Sequence, residues 1–391
     1  MTDQAQALEK KHHFQVYNRY PITIDRGLGA RVWDIKGNEY IDALGGIAVN
    51  NLGHCHPKVV HAIQAQAERL MHVSNFYYTE MQSEFLRLLS EVSGMDRVFL
   101  CNSGVEAMEA AVKLARKWGH SKGKTGSIIS LGNGFHGRSV TTITMGKPVY
   151  QEGFAPLPPG FEQVPFNDFE ALKAVANEHT VAITFEPIQG SGGLSIISQE
   201  FMTNVRALCD ELDILLIIDE VQTGVGRTGK FWGFEHYGIR PDIIAAAKAL
   251  AGGIPVGAIM ANEEIAGTLS FGQHGTTFGG NPLVAAAGVA TLNAIKDEKI
   301  VESAAEKGAY MLNLIKEKTA HLDVVVDVRG MGLMIGVELS IPPRPVVERM
   351  FEKKILSNAA SGNVIRLVPP LVISKEDIDR VVDVMVSCIQ D

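Results

Sequence analysis

The sequence predicts an α/β protein: a mostly parallel sheet covered by helices on both faces. Three observations lead there. Short apolar runs recur between residues 97 and 260, each bounded by polar or glycine-rich segments. Helical periodicity fills the intervals, so each run must be buried on both faces, as in parallel sheets. The 391 residues, 46% hydrophobic and 20% charged, also suffice for a large core and exclude a disordered chain.

Residues 1–20 are polar, with helix as their one regular prospect. Residues 31–46 (RVWDIKGNEYIDALGG) read as a hairpin turning at Lys36-Gly37-Asn38. Residues 57–71 form an amphipathic helix opened by a proline. The first run of the main series is RVFLC at 97–101. It is followed by a helix over 105–118 with Met108, Ala111, Ala115 and Trp118 on one face. SIISL (127–131), VAITF (181–185), ILLII (214–218), IIAAA (243–247) and VGAIM (256–260) continue the series. From about residue 286 the pattern becomes α+β, with longer charged helices around VVVDVRGMGLMIGVEL and NVIRLVPPLVIS.

Charge and cysteine usage narrow the function. Thirty-six basic against 44 acidic residues give a net charge of −8. The densest basic stretch, 113–124, begins as the outer face of a helix, so no basic face serves nucleic acid. Four scattered cysteines without CxxC spacing indicate neither a zinc knuckle nor a disulfide framework. The polar N-terminus lacks the apolar stretch of a secretory signal, and no apolar run is long enough to span a bilayer. A cytoplasmic protein with no membrane partner is expected.

Ligands of open α/β sheets bind beyond the carboxyl ends of the strands. After RVFLC, Asn102-Ser103-Gly104-Val105-Glu106 opens a helix, offering free N–H groups and a hydroxyl to a phosphate. The plainer reading is a capping box of Ser103 and Glu106. After SIISL, the loop GNGFHGR offers an aromatic ring and an arginine, or is simply a solvated loop. After ILLII comes Asp219, an acid that needs a cationic partner if buried. After IIAAA comes Lys248, which burial would turn toward its neutral, nucleophilic form unless it snorkels to the surface.

Three rival motifs fail on context. Gly224-Val225-Gly226-Arg227-Thr228-Gly229 matches a dinucleotide fingerprint, but no amphipathic helix follows. The stretch 119–125 (GHSKGKT) is one residue short of a P-loop, with helix and strand in the wrong order. GHCHP at 53–57 has adjacent and i+2 spacing that suits a turn better than a metal site, so no metal is expected. Asp219 and Lys248 together suit pyridoxal phosphate. The lysine forms a Schiff base with its aldehyde, and the aspartate keeps its ring nitrogen protonated.

With these residues in place the chain resembles the class III, or omega, aminotransferases of pyridoxal-phosphate fold type I. It is most similar to those acting on N2-acetylornithine. The resemblance runs from RVWDIKGNEYIDALGGIAVNNLGHCHP to NVIRLVPPLVIS and is strongest in LLIIDEVQTGVGRTG, PDIIAAAKALAGGIPVGA, HGTTFGGNP and FHGR. It implies a large cofactor-binding domain at 56–285 and a C-terminal α+β domain at 286–391, which the N-terminal segment 1–55 joins.

By motif, Lys248 resembles the covalent anchor and proton shuttle, Asp219 the ring-nitrogen partner, and Gln222 the neighbour of the ring hydroxyl. Ser103, Gly104 and Val105 match the phosphate cup, and Phe135 the stacking aromatic. Thr277 resembles the threonine that reaches the phosphate of a partner subunit, implying a homodimer with shared active sites, and Thr276 would lie near the substrate. Arg138 resembles the group binding the carboxylate remote from the reacting amine. Arg366 resembles the one binding the α-carboxylate of glutamate or 2-oxoglutarate, with Glu186 as a gate pairing with Arg366 when a terminal amine enters.

The implied reaction moves the terminal amine of an omega-amino acid, N2-acetylornithine foremost, to 2-oxoglutarate in a ping-pong cycle. The implied setting is arginine biosynthesis. Ornithine, 4-aminobutyrate, succinylated diamines and lysine derivatives are alternative donors, and an aminomutase or decarboxylase is the rival on the same scaffold. Ser191 stands where relatives commonly have an acid, and AAAKALAGG is richer in alanine than is usual around the lysine.

Overall fold

The computed structural model describes residues 4–391. Its central sheet has seven strands. From one edge they run Arg97–Cys101, Gly257–Ala261, Ile243–Ala247, Leu215–Asp219, Ala182–Phe185, Ile128–Leu131 and Phe161–Val164. All neighbours are parallel except Gly257–Ala261, which is antiparallel to both strands beside it. The run expected at 256–260 is therefore a strand one residue later, inserted in the opposite direction.

The lack of alternation in these runs has a direct cause. Successive side chains of a strand point to opposite faces. In Leu215–Asp219, Leu215 and Ile217 enter one core while Leu216 and Ile218 enter the other. Both faces are covered, so every position before Asp219 is apolar. The helix Gly104–Ser121 closes one face, with Met108, Ala111, Ala115 and Trp118 buried. Pro282–Asp297, Pro57–Arg69 and Glu80–Ser93 pack together over the other side.

The hairpin forms from Arg31–Asp34 and Glu39–Asp42, and Asp34 accepts from the N–H groups of Lys36 and Asn38 to hold its turn. Sequence patterning missed a further strand, Ile24–Leu28, whose side chains are mostly exposed. At the other edge Glu39–Asp42 pairs with Ile355–Leu356. An antiparallel sheet of Val325–Met331, Met334–Leu339, Val364–Leu367 and Asn358–Ala360 carries the C-terminal helices. Among the described residues, no helix is long and apolar enough to cross a membrane.

Candidate active site

The carboxyl ends of the parallel strands surround a cavity of about 350 Å³. Ser103, Gly104, Val105, Phe135, Glu186, Asp219, Gln222 and Lys248 all line it. These are eight of the twelve residues singled out in the sequence. They come from five strand ends because parallel strands deliver their following residues to one rim.

Ser103 caps its helix, its Oγ accepting from the N–H of Glu106 at 3.3 Å. The reciprocal half of the expected capping box is absent, because the Glu106 carboxylate accepts from Asn102 instead. Gly104 and Val105 are the first two helical residues, whose N–H groups have no intrahelical acceptor. Gly104 must be small, since a Cβ there would press on Val221.

Asp219 ends its strand almost fully buried, and the partner it requires is His136. The His136 Nδ1 lies 2.7 Å from Asp219 Oδ2, while the N–H of Val221 donates to Oδ1 at 3.0 Å. Burial works against the imidazolium, but the hydrogen bond and charge of Asp219, with Glu186 behind it, raise the His136 pKa above its ordinary value. Sequence reasoning noted His136 between the aromatic and the arginine of the GNGFHGR loop but gave it no role of its own.

Lys248 follows the strand Ile243–Ala247 with φ +50, a conformation that directs the chain away from the strand axis. Its amine has no hydrogen-bond partner among the described residues, and burial pulls its pKa down to about 8 against the pull of Glu186 and Asp219. Two polar atoms of the cavity-lining side chains are also buried without partners among the described residues, His136 Nε2 and Gln222 Oε1.

The carboxylate-binding candidates separate. Arg366 is buried, with Nη1 donating to the carbonyl of Gly190 at 3.0 Å and Nε to Asn358 Oδ1 at 3.0 Å. Burial lowers its pKa to about 10, which leaves it charged at neutral pH. Arg138 is exposed beside the site, its guanidinium 4.0 Å over the Tyr150 ring and 5.5 Å from that of Phe135. Neither arginine has an acidic hydrogen-bond partner among the described residues.

The expected Glu186–Arg366 ion pair is not formed. The Glu186 carboxylate instead accepts from the N–H of Phe135 at 3.1 Å and of Gly190 at 3.3 Å. Gly190 thus stands between them, its N–H toward Glu186 and its carbonyl toward Arg366. Burial and the charge of Asp219 raise the Glu186 pKa.

Thr276 accepts from Asn102 Nδ2 at 3.1 Å, next to Ser103. Thr277 is exposed and lies outside the cavity lining. The GHCHP histidines diverge: His54 meets Asp42 at 2.8 Å and His56 meets Glu298 at 3.2 Å.

Residues 14–389 match the family described as aminotransferase class-III. The chain belongs to the class-III aminotransferases. It is 50% identical to the acetylornithine aminotransferase of Methanocaldococcus jannaschii over 385 residues, 97% of this chain and 96% of that one. The acetylornithine aminotransferase structure from Elizabethkingia anophelis superposes with a TM-score of 0.89 at 36% identity, covering 99% of this chain and 98% of that one. An ornithine aminotransferase structure from Toxoplasma gondii, with partial occupancy of pyridoxal phosphate at its active site, gives 0.95 at 35% identity, covering 100% and 95%. The fold of this class-III aminotransferase is accordingly pyridoxal-phosphate fold type I.

The cavity fits that cofactor. A class-III aminotransferase needs an unpaired amine, a buried acid, free N–H groups at a helix start and a partner for a ring oxygen. Lys248, Asp219, the Gly104 end of its helix and the orphaned Gln222 Oε1 supply these in one cavity. Pyridoxal phosphate is the cofactor.

Proposed function

We propose that this aminotransferase moves the terminal amino group of N2-acetyl-L-ornithine to 2-oxoglutarate, giving the semialdehyde and L-glutamate by a ping-pong cycle. The observation that carries the reading is two arginines without acidic partners beside one lysine-bearing cavity, Arg138 exposed and Arg366 buried. One site can then take two different carboxylates.

When bound, pyridoxal phosphate supplies an aldehyde that takes up amines and a ring that withdraws electrons from the carbon bearing them. Lys248 would hold it covalently through Nζ and later carry a proton on that atom. With a pKa near 8, a useful fraction of the amine is unprotonated at neutral pH. Asp219, hydrogen-bonded to His136, would hold a proton on the ring nitrogen. Gln222 would meet the ring hydroxyl, Phe135 cover the ring face, and Ser103, Gly104 and Val105 bind the phosphate.

Arg138 would hold the donor's distal carboxylate and Arg366 the α-carboxylate of glutamate, each through a planar fork suited to two oxygens. Glu186 would screen Arg366 while a terminal amine reacts. Its raised pKa lets it accept a proton when a second anion arrives.

The reading extends to a homodimer. Thr277 is exposed outside the lining of its own cavity, and Phe271, Phe278, Phe76 and Tyr78 are 61–109% exposed, an apolar surface that suits a second copy. A cytoplasmic place in arginine biosynthesis goes with the acetylornithine reading.

The test is a half-reaction screen of purified holoenzyme, followed by cofactor absorbance, against N2-acetylornithine, ornithine, 4-aminobutyrate and lysine. Preference for any of the other three overturns the donor assignment, and a monomer by light scattering overturns the dimer.

A further inference from the structure

Lys147 lies between the helix Val140–Thr144 and the turn Pro148–Tyr150, and is only 8% exposed. Its ammonium donates to the carbonyl of Ser191 at 2.5 Å and to the hydroxyl of Ser361. Neither acceptor is charged.

Arg366 bridges the same two segments. It donates to the carbonyl of Gly190, adjacent to Ser191, and to Asn358, three residues before Ser361. Two cations therefore span one seam, between the loop after Ala182–Phe185 and the strand Asn358–Ala360 with its turn. Glu186 is the acid whose charge acts on both, yet its oxygens are taken by the N–H groups of Phe135 and Gly190. Burying an ammonium with only neutral acceptors is costly unless an anion joins it. Two desolvated cations against one acid leave a surplus positive charge, and the surplus sits at a seam whose one acid, Glu186, lines the cavity. Ser191 contributes a carbonyl to this seam and no counter-charge.

We propose that Lys147 is the second cation of the carboxylate subsite centred on Arg366, setting affinity for the α-amino acid and 2-oxo acid pair relative to the terminal amine. It rests on the role given to Arg366 above. Lys147 acts on specificity: its charge strengthens the hold on the α-carboxylate without taking part in proton movement. When a terminal amine reacts, the same charge faces Glu186.

The experiment compares wild-type holoenzyme with Lys147→Gln, Lys147→Met and Lys147→Arg. Glutamine keeps an amide donor for Ser191 and Ser361 but no charge, so it separates charge from tethering. Calorimetry should show 2-oxoglutarate binding weakened about tenfold in Lys147→Gln and Lys147→Met and largely recovered in Lys147→Arg. In single turnovers, half-saturation by glutamate should rise by a similar factor at a limiting rate within about twofold, against a shift several times smaller for N2-acetylornithine. Wild-type affinity in Lys147→Gln, or equal shifts for both amines, overturns the proposal. The binding arm needs no turnover. Weakened 2-oxoglutarate binding in an enzyme inert toward both amines would uphold the subsite while sinking the transaminase assignment.

Discussion

His136 and Asp219, 83 residues apart in the chain, meet through a 2.7 Å hydrogen bond with both side chains closed to solvent. Removing one partner of a buried pair leaves an uncompensated charge, at a cost of about 3–5 kcal/mol. His136→Ala should therefore lower the thermal midpoint by several degrees and weaken cofactor binding, read by absorbance titration. An unchanged midpoint would mean that Asp219 finds its stabilisation elsewhere.

The lysine gives a pH prediction. Burial lowers Lys248 from 10.5 to about 8 in the folded protein. Covalent cofactor capture by the apoenzyme needs neutral Nζ, so its rate should rise with pH through about 8 and then level. Stability of the apoenzyme follows the same group. Below about 8 both folded and unfolded chains hold the proton, and the penalty of the buried ammonium is fully present. Between about 8 and 10.5 the unfolded chain binds more protons, so stability rises with pH. Capture rates that rise only near 10.5 would show an amine open to solvent.

Arg366→Ala should separate the two half-reactions. Losing one side of a buried carboxylate contact costs about 2–5 kcal/mol, or roughly thirtyfold and upward in affinity. Half-saturation by glutamate should rise by that factor while the terminal-amine reaction changes little. Equal loss with both substrates in single-turnover spectra refutes the division of labour between Arg138 and Arg366.

Arg227 offers a stability test. It is fully buried and donates to the carbonyls of Leu333 and Pro369 and to Asn51 Oδ1, with burial pulling its pKa down to about 9. It thereby ties a loop of the central sheet to three distant chain segments. Arg227→Ala strands three acceptors and opens a void, for a loss of about 3 kcal/mol or more. Arg227→Lys should recover only part, since a single ammonium does not reproduce the fork. Differential scanning calorimetry would order the three proteins, and an alanine variant as stable as wild type would be the contrary result.

Gly257 pairs with Cys101 on one side and Ala247 on the other. A Cβ there would collide with the carbonyl of Ser103, which is backbone and cannot swing aside. Gly257→Ala should weaken cofactor binding about tenfold without touching any group that contacts it, measured by equilibrium titration. Unaltered affinity would mean that the helix start tolerates displacement.

What the sequence made legible was whatever lies contiguous in the chain. The run 214–218 announces itself because burial on both faces makes every position apolar, and the residue after such a run, here Asp219, is the one that reaches the rim. Lys248 and the Ser103 helix start followed by the same logic. Ile24–Leu28 did not, because an exposed edge strand needs no apolar alternation. The roles of His136, Lys147 and Arg227 were missed for another reason: each residue gains its meaning from partners dozens to hundreds of residues away, which no local pattern encodes. The GxGxxG stretch shows the same limit from the other side. Its glycines let the chain turn around a buried arginine that braces the fold.

The reversed strand Gly257–Ala261 also acts as a ruler. It alone separates the strand leading to Ser103 from the strand leading to Lys248, and strands sit about 4.8 Å apart. The two chain ends that would grip opposite extremities of the cofactor are thus held about two such spacings apart, a length fixed by backbone hydrogen bonds alone. Side chains around the cavity can then vary to suit different amines while the gauge between anchor and phosphate stays constant.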